Sequence, residues 1–116
     1  MKRTLLLVLP LIGRAGGAAD PAPLEQLRRT EQAIHQARAI GATGEVAELG
    51  MAESKQAQAR AALADGENRQ ARLLAEQAEL DARLAEARLL AAKRQQQLET
   101  LERRIAALRH ELEVAP

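Results

Sequence analysis

The sequence predicts an all-α fold, an elongated antiparallel helical hairpin whose long C-terminal helix carries a coiled-coil segment. Three observations predict it. Residues 67–113 contain no glycine or proline and consist mostly of Ala, Leu, Glu, Gln and Arg, the residues that lose least freedom on entering a helix. The 116 residues include no Phe, Tyr or Trp, which normally supply the largest blocks of buried apolar area, and strand formers are scarce. Leu98, Leu101, Ile105, Leu108 and Leu112 step by three, four, three and four, the spacing of an a/d seam.

Residues 1–19 read as an export signal. Lys2 and Arg3 form a basic start, an apolar run follows from Leu5 to Ile12 around Pro10, and Gly16 to Ala19 supply small residues for a cut after Ala19. The run is shorter than the roughly 20 residues needed to span a bilayer, so no integral membrane span is expected after cleavage. With no cysteine in the chain, a lipid anchor, a disulfide framework and a thiolate metal site are all excluded. The expected address is the periplasm. Losing Lys2, Arg3 and Arg14 from the 17 basic residues leaves 14 against 16 acidic ones, so the weakly basic precursor says nothing about partners.

Residues 20–23 form a short Pro-containing linker, and residues 24–94 a hairpin domain rich in alanine. Pro23 suits the first position of a helix, where its missing N–H would have no partner. The first helix is expected over 24–40, with Leu24, Leu27, Ile34, Ala37 and Ile40 on one side and a Glu25–Arg29 contact on the other. Gly41 to Gly44 stop it. The second helix is expected over 45–64, capped by Thr43 with Glu45 in its first turn. Gly50 weakens it by about 1 kcal/mol relative to alanine. Asp65 and Gly66 are the hairpin turn: Gly66 suits a left-handed cap, and Asp65 or Asn68 can cap the long helix. So short a connection makes the second and third helices antiparallel neighbours.

The third helix, 47 residues from Glu67 to Glu113, would be roughly 70 Å long, more than a small domain across. Ala71, Leu74, Ala75, Ala78, Ala82, Ala85 and Leu89 make a stripe suited to close helix packing. The seam register, traced upstream, meets Arg94, Ala91, Ala87, Leu84, Leu80, Gln77 and Leu73, so the clearest coiled-coil segment is the extension at 95–113. Glu102, Arg104, Arg109 and Glu111 flank it. A parallel dimer sets Arg104 against Arg109, whereas an antiparallel one can match Glu102 with Arg109 and Arg104 with Glu111. In the intramolecular alternative the first helix covers the seam.

The segment 57–82, AQARAALADGENRQARLLAEQAELDA, resembles the DUF4398 family of exported, alanine-rich helical proteins from Gram-negative bacteria. The resemblance extends from about Leu24 to Arg94. Some members sit beside a peptidoglycan-binding domain, so the resemblance implies association with peptidoglycan or an outer-membrane protein. It supplies no catalytic residue.

The residues themselves also point away from catalysis, and no cofactor or metal is expected. His35 and His110 lie in different helices with no further ligand at a suitable spacing, and no histidine stands near Ser54, the only serine. Glu76, Glu79, Glu99 and Glu102 have arginines within a turn and read as solvated ion-paired faces. Nucleic-acid binding is not expected, because acidic residues interrupt every arginine cluster and no aromatic can stack on a base. The expected function is a structural or adaptor role in the cell envelope, through self-association or a protein partner. The alternative is a periplasmic chaperone holding clients between helical arms.

Overall fold

The structure, a computed structural model, describes residues 21–115. The export signal expected over residues 1–19 lies outside the described residues, as does the first linker residue, Asp20. The described chain forms three helices, α1 (Pro21–Ala39), α2 (Ala47–Ala64) and α3 (Asn68–Val114).

The rest of the expected linker is helical, because α1 begins at Pro21. Prolines fit there, since the N–H groups of a first helical turn have no intrahelical acceptor. Pro23 is fully buried and Leu24 is exposed, so the packed face of α1 follows Pro23, Leu27, Thr30, Ile34 and Ala37 rather than starting at Leu24. No ion pair joins Glu25 to Arg29; Arg29 lends its charge to Glu79 of α3 instead.

Both turns are built on left-handed glycines. Gly41 has φ +101° and Gly66 φ +77°, a region closed to most side chains. After α1, the amides of Gly41 and Ala42 donate to the carbonyls of Arg38 and Ala37; after α2, those of Gly66 and Glu67 donate to Leu63 and Ala62. Each pair is a Schellman closure, which satisfies the last carbonyls without a side chain. The helix starts differ from expectation. Val46, not Thr43, precedes α2, and the Thr43 carbonyl accepts from the Val46 amide in a turn, so α2 starts two residues late with Glu48 in its first turn. Asp65 closes α2, Glu67 precedes α3, and neither α2 nor α3 has a side-chain cap at its N-terminus. Gly50 leaves α2 unbroken.

Contacts between helices define an up-down-up bundle. Along α1, Thr30 reaches Ala75, Gln36 reaches Glu86 and Ile40 meets Lys93, so α1 runs parallel to α3. Along α2, Glu48 pairs with Arg88 and Lys55 with Asp81 at 2.6 Å, so α2 runs antiparallel to it. Arg38–Glu53 and Arg60–Glu31 tie α1 to α2. The hairpin of α2 and α3 is thus completed by α1. Ala71, Ala75, Ala78, Ala82 and Ala85 of α3 are fully buried and serve as its packing face, since methyl groups let backbones approach closely.

The core has two parts. Ile34, Ala37, Leu49, Ala52, Ala82 and Ala85 pack near the Gly41 turn, and Leu27, Ala59 and Ala75 near the Gly66 turn. Fully buried Thr30 stands on the α1 face between Leu27 and Ile34; its hydroxyl lies 2.7 Å from the Ala75 carbonyl and 2.9 Å from that of Gln26, sharing one proton. The side-chain nitrogen of Gln56, between Ala52 and Ala59 on α2, is buried without a partner.

Candidate functional site

The heptad places the alanine face and the leucine seam on opposite sides of α3. A two-residue step turns a helix by about 200°, so Leu73 points away from Ala71, and the relation repeats at each heptad. The first side lies against α1 and α2. The second is bare along the whole helix: Leu73, Leu80 and Leu84 are 43%, 67% and 43% exposed on the back of the bundle. The five seam residues Leu98, Leu101, Ile105, Leu108 and Leu112 range from 48% to 77% exposed. Helix α1 packs against the alanine side, so it does not cover the seam.

The bundle ends near residue 93, where Lys93 donates to the Ile40 carbonyl that closes α1. From there α3 continues unbroken to Val114, and nearly every residue of this extension is exposed. About 20 residues at 1.5 Å each project roughly 30 Å beyond the bundle. Large apolar side chains held in water at helical spacing are costly, at about 25 cal/mol for each Å² that stays unburied. The flanking side chains of Glu102, Arg104, Arg109 and Glu111 form no ion pair or hydrogen bond among the described residues, so their charges are free to meet a partner.

Several charges along the bundle are already engaged. Arg72 pairs with Glu76 at 3.0 Å and Arg83 with Glu79 at 2.6 Å, each one turn apart. Glu79 also accepts from Gln26 at 2.6 Å. Its carboxyl is held below its ordinary value, chiefly by the hydrogen bond from Arg83 and then by that from Gln26. His35 is exposed on α1, and His110 is exposed on the extension. Ser54 is exposed and accepts from Gln58 one turn away. Among the described residues no group of three or more His, Cys, Asp or Glu converges at metal-binding distance. No described helix is long and apolar enough to cross a membrane.

Comparison with known proteins agrees with this architecture. Residues 25–101 match the model of a domain of unknown function, DUF4398. The match runs past Arg94, where the resemblance in sequence stops, and takes in Leu98 and Leu101. The chain is also similar to a DUF4398 family protein of Pseudomonas aeruginosa PAO1 whose crystal structure is known. The two share 54% identity over 80% of this chain and 97% of the other, with a TM-score of 0.77. No curated protein matches. A family match over well more than half of the chain, and a solved relative with the same fold at that identity, place this three-helix protein in the DUF4398 family.

Proposed function

We propose that the protein is a non-enzymatic structural or adaptor component of the bacterial cell envelope, acting in the periplasm and gripping a protein through the seam on α3. One observation carries the reading: Leu98, Leu101, Ile105, Leu108 and Leu112 stand at a/d spacing on a helix that outruns its bundle, each about half exposed or more. The basic start and apolar run of residues 1–19 support the periplasmic address. A chaperone that holds clients between arms fits less well, because only one arm projects.

The test is crosslinking in intact cells from a photoreactive residue at position 104, beside the seam. The expected result is a trapped envelope protein or a trapped second copy, lost when Leu101→Asp and Leu108→Asp are combined. Trapping that survives the double substitution would remove the seam from the function. Fractionation should find the product in the periplasm without residues 1–19.

A further inference from the structure

Resting on the reading of the seam as a gripping surface, we infer that its occupant is a second copy of this chain, bound antiparallel about a two-fold axis at Gln96. Each extension then lies along the back of the other copy's bundle. The pairing is fixed by the a/d register, in which antiparallel helices meet so that facing residue numbers share one sum. With the axis at Gln96, Leu112 faces Leu80 of the second copy and Leu108 faces Leu84. Ile105 and Leu101 face the smaller Ala87 and Ala91, so large meets small where the upstream seam thins. Leu80 and Leu84, 67% and 43% exposed in the single chain, are thereby covered.

Charge selects this register over its neighbours. In antiparallel helices the residues beside the seam meet their own kind, e with e and g with g. Here Glu102 meets Arg88 of the second copy and Glu111 meets Arg83, each twice by symmetry; Arg109 falls at Asp81, whose carboxylate already accepts from Lys55 and is only 17% exposed. The side chains of Arg83 and Arg88 are about two-thirds exposed and can take a second carboxylate beside Glu79 and Glu48. Beside the seam, the residues nearest the axis face themselves and are the uncharged Gln95 and Gln97; within it, Leu98 faces Arg94 of the second copy, the one charged side chain that the pairing brings into the seam. Sliding one heptad toward the bundle sets Glu102 against Asp81, Arg104 against Arg83 and Glu111 against Glu76. Sliding one heptad outward sets Arg109 against Arg88, and the next outward sets Glu102 and Arg104 against themselves. A pairing of the tips alone, Glu102 with Arg109 and Arg104 with Glu111, is also complementary. It overlaps for only about two heptads and leaves Leu80 and Leu84 bare, whereas the proposed overlap from residue 80 to residue 112 is close to five.

Sedimentation of the full mature chain and spin-label distance measurement test the inference together. The wild type should sediment as a dimer, and Leu84→Asp and Leu108→Asp should each weaken it by at least tenfold. Both side chains are outside the core, and circular dichroism should show unchanged helix. Because the chain has no cysteine, His110→Cys gives one label per copy on the outer face of the extension. The two labels should lie about 45 Å apart, from 28 residues of axial offset and the spacing between helices. Tip pairing or a parallel dimer would instead give about 20 Å. Such a distance, or a Leu84→Asp protein that still dimerises, overturns the register. A wild type that stays monomeric at every concentration overturns the second copy as occupant, yet leaves the seam free to grip another protein, which the crosslinking reads separately.

Discussion

Two glycines should respond with opposite sign to the same substitution. Gly50 and Gly66 both have open space where a Cβ would be added, with nothing within 4 Å, so neither gains a clash nor a contact from alanine. They differ only in backbone. Gly50 lies within α2, and replacing it by alanine lowers the entropy of the unfolded chain and favours the helix, worth about 0.5–1 kcal/mol. Gly66 has φ +77°, where an L-residue costs about 1–2 kcal/mol. Gly50→Ala should therefore raise the urea midpoint and Gly66→Ala lower it. For a small domain, 1 kcal/mol corresponds to about 4–8 °C in Tm, so a gap of roughly 10 °C should separate the variants. If both moved the midpoint in the same direction, the assignment of a helix interior to one glycine and a left-handed closure to the other would be refuted.

Other expectations concern the core and its polar contacts. Replacing Thr30 by Val keeps the shape but removes the hydroxyl shared between Ala75 and Gln26, and should cost about 1 kcal/mol in denaturant titration. Gln56→Met removes the buried amide nitrogen that has no partner and should stabilise by about 1 kcal/mol; a loss of stability would mean that this nitrogen has a partner. Ala82→Leu forces a large side chain into a fully buried interface and should cost 1 kcal/mol or more, roughly 1–3 by analogy with overpacked cores. Glu79 has a lowered folded-state pKa, so the folded chain binds fewer protons there than the unfolded one. Its stabilisation should be fully present above its ordinary value of 4.5 and disappear as pH falls through the folded value. In Glu79→Gln, stability should depend less on pH across that acidic window.

Much of the fold is legible in the sequence because it rests on local rules. The unbroken run to Glu113 announces α3, the small residues at 71, 75, 78, 82 and 85 mark its packing side, and Gly66 marks the reversal. The helix starts are less legible, since a turn at Thr43 precedes α2, and neither α2 nor α3 carries the side-chain cap that composition suggests. The place of α1 is also hidden: Thr30 with Ala75 and Gln26 with Glu79 join residues 45 and 53 positions apart, and no periodicity encodes such partners. The packed face of α1 runs through a proline and a threonine, which a search for apolar residues passes over. For the seam, spacing reveals a register; only the assembled bundle shows that α1 leaves it bare.

Helix α3 belongs to both the bundle and the extension, with no glycine or proline between Lys93 and Val114 to act as a joint. A continuous helix bends only gently. A hold on the tip therefore sets the direction and the rotation of the bundle some tens of ångströms away, and turning the tip by one residue would swing the bundle through about 100°. Insertion or deletion of one residue in the extension should thus alter the molecule's geometry more severely than many substitutions within it.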